Sequence, residues 1–142
     1  MSEQENIKAA QAWISAWNMG DLGTMTEFEA DNFMADNPGS PPTNSAQTRA
    51  YIKNFMTAFP GSKIEVLLTV AQGDYVVTNW KTTAKNAGPL MSPSGATVPP
   101  TGKMVTTLGS TTSQLKNGKV LHTWGFFDMA ALLGQMGLMP PM

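Results

Sequence analysis

The sequence predicts an α+β domain in which helices cover one face of a curved antiparallel sheet, and three observations carry that prediction. The hydrophobic period switches from 3.6 to 2 at Pro60-Gly61. Segments before that point read as helices and the long segments after it as strands, the segregation expected of an α+β fold. Asn117-Gly118 sits between two alternating stretches and is a strong hairpin signal. A sheet bent around a helical layer encloses a cavity, so an apolar pocket belongs to the prediction.

Each element has its own warrant. Ser2 and Glu5 have capping-box spacing, and Ile7, Ala10, Ile14 and Trp17 follow at helical intervals, with Trp13 one turn before Trp17. Gly20 ends that helix. Asp21 reads as the N-cap of a short second helix carrying Leu22, Met25 and Phe28. Residues 33–36 form a short extended piece, closed by the turn-rich Asn37-Pro38-Gly39-Ser40-Pro41-Pro42. A third helix spans about 45–59, with Tyr51, Ile52, Phe55, Met56 and Phe59 on its apolar side. Strands follow at 63–72 and 75–85, joined at Gly73-Asp74, the first with Ile64, Val66, Leu68 and Val70 on one face. Residues 86–101, rich in Gly, Pro and Ser, form a long loop of the kind that serves as a lid or rim. Strands at 103–115 and 119–127 flank Asn117-Gly118, Asp128 starts a short helix reaching Met136, and Pro140-Pro141 close the chain. At 142 residues without an internal repeat, one domain over 1–142 is expected.

Composition removes several classes of function. With 42% hydrophobic and 13% charged residues, the chain is no solvated disordered segment. A net charge of -1 and nine dispersed Lys and Arg residues argue against a nucleic-acid surface. No cysteine is present and only one histidine, so thiolate chemistry and a zinc site of several imidazoles are not expected. The polar start Met1-Ser2-Glu3-Gln4-Glu5 does not read as a signal peptide, and no apolar run approaches the ~20 residues of a membrane span. A soluble cytoplasmic protein without membrane association is the expectation. Eleven methionines and four tryptophans suit a core wrapped around an apolar ligand, and equally an ordinary core or a greasy subunit interface. Leu67, Trp80 and Leu121 are candidates for exposed apolar positions on the sheet, which points to a homodimer or higher homo-oligomer.

Several pieces in register resemble a known family. Trp13-Ile14-Ser15-Ala16-Trp17-Asn18 with Gly20-Asp21-Leu22, then Ala58-Phe59-Pro60, then Gly73-Asp74-Tyr75-Val76-Val77 occur in order. Pro99-Pro100-Thr101-Gly102-Lys103, Asn117-Gly118-Lys119-Val120, Trp124 to Asp128 and Leu132-Leu133-Gly134-Gln135-Met136-Gly137 complete the series. Together they resemble the SnoaL-like polyketide cyclases, of the nuclear-transport-factor-like and ketosteroid-isomerase-like superfamily. The resemblance implies a cone-shaped sheet and an intramolecular aldol closure on an aromatic polyketide ester, with one acidic residue as general acid and base. Asp128 matches that residue, and no metal or organic cofactor is implied. The chain departs from the pattern at Ala84-Lys85-Asn86, where Gly-Thr-His is frequent, and at His122, where an acidic residue is usual. A local stretch, Asp36 to Pro42, is similar to the segment that holds the base of ketosteroid isomerases, but Trp13 and Trp17 stand where the oxyanion donor would be Tyr.

Three residues are therefore candidate catalytic groups. Asp128 is either the base or only the N-cap of the last helix. Asp36 is either a base at the mouth of the pocket or the start of an Asx-turn. His122 either points into the cavity with Trp124 and Phe126, relaying a proton, or faces outward. Trp13, Trp17, Phe33, Tyr51, Phe55, Trp124 and Phe126 are expected to surround an apolar small-molecule ligand, with Asn86, Thr112 and Gln114 as polar helpers. Two classes of function fit: a cofactor-independent enzyme that moves a proton beside a carbonyl (cyclase, isomerase or lyase), or a non-catalytic binding or assembly protein.

Overall fold

The computed structural model describes residues 2–92 and 95–138, so Pro140-Pro141 lie outside the described residues. Helix α1 (Glu3–Asn18) starts on the expected capping box: the Ser2 hydroxyl accepts from the Glu5 N–H, and the Glu5 carboxylate accepts from the Ser2 N–H, both at 3.1 Å. Asp21 caps α2 (Leu22–Met25), accepting from the N–H and the hydroxyl of Thr24; these bonds hold its carboxyl below the usual carboxylate value. A 3₁₀ turn, Thr26–Phe28, leads into β1 (Glu29–Asp36). Helix α3 (Ser45–Ala58) has a second capping box, between Asn44 and Gln47.

The remaining elements are β2 (Glu65–Gln72), β3 (Tyr75–Lys85), β4 (Leu90–Met91), β5 (Thr97–Val98), β6 (Met104–Lys116), β7 (Lys119–Phe127) and α4 (Met129–Gln135). Five strands form one sheet in the order β1-β7-β6-β3-β2. The four long strands pair antiparallel, as the sequence predicts, while β1 runs parallel to β7. The short extended piece expected at 33–36 is thus the end of an eight-residue strand on the sheet's edge. Asn117 and Gly118 turn the β6–β7 hairpin with φ of 52° and 77°, the left-handed conformation that this dipeptide adopts readily.

The long loop after β3 folds into the β4–β5 ribbon. Asn86, fully buried, anchors its base. Its amide donates to the carbonyls of Ala58 and Gly88, each at 3.1 Å, and its oxygen accepts from the Thr101 N–H at 2.8 Å and hydroxyl at 2.9 Å. Asn54 on α3 holds the ribbon from the other side through two 2.9 Å bonds to the Met91 backbone.

Two apolar clusters fill the space between helices and sheet. One gathers Trp13, Ile14, Met25, Phe33 and Ile52 beneath the sheet residues Val76 and Val120. The other joins Phe59, Leu90, Val105, Leu132 and Met136 where α4 folds back on β6. Among the described residues no helix is long and apolar enough to cross a membrane.

Candidate functional site

Between the two clusters the packing leaves a cavity of about 110 Å³. Trp13 and Trp17 from α1 form one wall, and Phe55 and Met56 from α3 with Phe59 just after it another. The sheet supplies Trp80, Thr82, Ala84, Thr107, Thr111 and Thr123. Trp80 reaches the cavity because Gly109 stands opposite it: a Cβ there would lie 2.3 Å from the indole Cζ2. The indole N–H then donates to the Thr111 hydroxyl at 3.0 Å. The sequence places Trp80 among the exposed positions of the sheet; it shares instead the inward face of β3 with the buried Val76, Thr78 and Ala84, and the missing side chain at Gly109 leaves room for its indole.

Trp13 is fixed from outside the cavity. Its indole N–H donates to Glu29 at 2.7 Å, and Glu29, 4% exposed, also accepts from the Ser45 hydroxyl at 2.7 Å and pairs with Arg49. Hydrogen-bonded partners of this kind offset the hydration that a carboxylate loses on burial. Glu29, Arg49 and Trp13 thus form one buried polar unit behind the cavity wall.

Among the described residues lining the cavity there is no Asp, Glu, His, Lys or Arg. Its polar groups are neutral: the Asn37 amide, the four threonine hydroxyls, Ser62 and the Tyr51 hydroxyl. Asn37 follows β1 and lies against Gly125, where a Cβ would meet its Oδ1 at 2.9 Å. The Tyr51 hydroxyl is buried and has no protein hydrogen-bond partner among the described residues. Burial pushes its ionisation well above the ordinary tyrosine value, so it stays a neutral donor rather than a phenolate.

The candidate acids and bases lie elsewhere. Asp128 is exposed and caps α4, accepting from the Ala131 N–H at 2.9 Å, so its carboxylate is not among the cavity-lining groups. Asp36 and His122 meet on the opposite face of the sheet, Oδ2 to Nε2 at 2.6 Å, and the imidazole stacks on Trp124 with ring centres 4.1 Å apart. Thr112 pairs with Trp124, and Gln114 with His122, in the β6–β7 register, on that same outer face. Phe126 is 65% exposed there.

The outward placement of Trp124 and Phe126 corrects the expected cavity and puts His122 in the outward of its two alternatives, and its cause is a β-bulge. Gln114 pairs with His122 while Leu115 pairs with Val120, so Leu121 is an extra residue in β7. Val120 is buried, and after the bulge the inward positions are Thr123, Gly125 and Phe127 rather than the even-numbered residues. Asn86 is also corrected: all four of its hydrogen bonds go to the protein, leaving it no free donor for a ligand. Phe33 is buried against Trp13 in the core and does not line the cavity, whereas Trp13, Trp17, Tyr51 and Phe55 do. From the sequence no site role is assigned to Asn37 or the threonine stripe, and Trp80 is put on the wrong face of the sheet. A glycine in the middle of β6 was the signal available for Trp80.

Among the described residues no group of three His, Asp or Glu side chains could hold a metal. A family model for SnoaL-like polyketide cyclases matches residues 7–136. Curated proteins offer no match. Solved structures with similar folds include AclR from Streptomyces galilaeus, provisionally a hydroxylase, at 25% identity and a TM-score of 0.85, covering 99% of this chain and 86% of that one. A SnoaL-like polyketide cyclase candidate from Jannaschia sp. CCS1 aligns at 23% identity and a TM-score of 0.85 over 98% and 95% of the two chains. IdmH from Streptomyces antibioticus, a candidate polyketide cyclase, aligns at 23% identity and a TM-score of 0.80 over 93% and 98%.

Proposed function

The chain belongs to the SnoaL-like polyketide cyclase family, and from that premise we propose that its cavity binds a neutral, apolar, carbonyl-bearing molecule of the polyketide class and holds it for ring closure. The observation that carries this reading is the partly open cavity with aromatic walls and only neutral polar groups. A charged ligand would lose its hydration there without gaining an ionic partner, whereas a ketone oxygen could accept from Asn37, a threonine or Tyr51.

Neutral donors also suit a specific chemistry. The enol form of a β-dicarbonyl segment carries its own nucleophilic carbon and its own proton. Carbon–carbon bond formation at a second carbonyl then leaves the former enol as a ketone and passes its proton to the new alkoxide oxygen. The protein contributes by holding the two reacting carbons close and by donating hydrogen bonds to the accepting carbonyl. On this reading Asp128, Asp36 and His122 do not touch the substrate.

A linear aromatic polyketide ester tests the proposal. Ring closure should be faster with the protein than without it, and Asp128→Asn should leave the rate unchanged. A loss of ~10²–10⁴-fold in Asp128→Asn would restore a carboxylate base in its place. Saturable binding without any acceleration would leave the second reading, a binding protein, which the uncharged cavity also favours. The exposed outer sheet face, with Leu68, Val70, Tyr75, Leu108 and Phe126, supports assembly of the chain as a homodimer.

A further inference from the structure

A second space adjoins the cavity. It is a cleft of about 940 Å³ between α3, the turn after β1 and the β4–β5 ribbon, with Pro41, Leu90, Met91, Val98 and Leu133 among its walls. Tyr51 and Phe55 line the cleft and the cavity alike, so these two side chains are the partition between them. Their ring centres lie 5.1 Å apart, and Phe55 packs edge-on against Phe127 at 5.8 Å, which continues the partition to the sheet.

The volumes are unequal in an informative way. The inner space of about 110 Å³ is smaller than the roughly 150 Å³ apolar cavity that accommodates benzene, so it has room for one ring at most and for no fused ring system. The cleft alone has the volume typical of a whole small-molecule site. It is also preformed, because Asn54 on α3 fastens the ribbon at both polar atoms of Met91's backbone.

Tyr51 gives the junction its polarity. Its hydroxyl is sealed in the partition with no protein partner among the described residues, a costly arrangement for a buried donor. A carbonyl crossing the partition, once the Tyr51 ring swings aside, supplies the missing acceptor.

We propose that the ligand is elongated and spans both spaces: one ring in the inner cavity, a carbonyl at the Tyr51–Phe55 partition, and an apolar chain or further rings in the α3–ribbon cleft. This rests on the inner cavity being the ligand site, and it adds a substrate shape and a pair of specificity-determining residues. Short single-ring molecules that leave the cleft empty are then the weaker ligands, and selectivity for length resides in α3 and the ribbon.

Equilibrium titrations with acetophenone, heptanophenone and heptylbenzene test it, read by quenching of Trp13, Trp17 and Trp80. Each methylene buried in the cleft should tighten binding about fourfold, so heptanophenone should bind at least tenfold more tightly than acetophenone. Met91→Asp and Ala50→Asp, at exposed cleft positions, should weaken heptanophenone about tenfold and leave acetophenone unchanged. Tyr51→Phe should weaken both ketones roughly five- to tenfold and spare heptylbenzene, which offers no acceptor. Equal affinities for the two ketones, or heptanophenone binding indifferent to both aspartates, would overturn the two-compartment proposal while the inner-cavity reading stands. Failure of acetophenone to bind at all would remove the inner-cavity reading and this proposal with it.

Discussion

Replacing Tyr51 with phenylalanine deletes one oxygen atom and leaves the ring contact with Phe55 in place. The hydroxyl is buried with no protein partner, and burying an unpaired hydroxyl costs ~1–3 kcal/mol by mutational measures. Tyr51→Phe should therefore stabilise the ligand-free protein, by about 1–2 kcal/mol. In a chain of this size that corresponds to a rise in Tm of roughly 3–8 °C. Thermal unfolding followed by circular dichroism at neutral pH measures it directly. The pH dependence gives an independent reading. Burial raises the folded-state ionisation of Tyr51 above its ordinary value of 10.0, so the unfolded chain releases that proton first. The associated stability is fully present below pH 10 and is lost as pH rises above it. Wild type should accordingly lose stability more steeply than Tyr51→Phe on the alkaline side. A lower Tm in Tyr51→Phe, or identical alkaline limbs, would show instead that burial of the hydroxyl carries no such cost.

Other substitutions probe the supporting structure. Glu29→Ala leaves the Trp13 indole N–H, the Ser45 hydroxyl and the Arg49 guanidinium without their acceptor, and should cost about 3–5 kcal/mol in chemical denaturation. Asp128→Ala should cost about 1 kcal/mol while Asp128→Asn, which keeps a capping oxygen, costs little; similar large losses in both would contradict the capping role. If the outer face is the homodimer contact proposed above, wild type should run as a dimer in light scattering and Phe126→Asp, at an exposed outer-face position, as a monomer, without a loss of affinity for acetophenone.

Local chemistry was the part of the fold most legible in the sequence. Ser2 with Glu5, Asp21 and Asp128 each cap the helix that their spacing announced, and Asn117-Gly118 turns the expected hairpin. These features depend on neighbours within a few residues, and the physics that selects them is equally local. The site was less legible because it depends on phase and pairing. Alternation along β7 made Val120, His122, Trp124 and Phe126 look like one face, but the extra residue at Leu121 reverses the phase, and a one-residue shift moves every later side chain across the sheet. The parallel contact of β1 with β7 places Asp36 beside His122, 86 positions away, on the outer face, and nothing in the alternation of either segment encodes that meeting. Asn86 could be read as polar and near a loop, yet only the fold reveals that the loop itself consumes its hydrogen bonds.

The ligand site proposed above is the cavity between the two apolar clusters. Ala84 lines it and is 9% exposed, so Ala84→Leu adds three carbon atoms to the wall of a space of about 110 Å³. Fluorescence titration of wild type and Ala84→Leu with acetophenone is the most direct measurement, with circular dichroism confirming that the variant is folded. Saturable one-to-one quenching in wild type, weakened at least tenfold in Ala84→Leu, is the result predicted. Undiminished affinity in a folded Ala84→Leu protein would place the ligand outside this cavity.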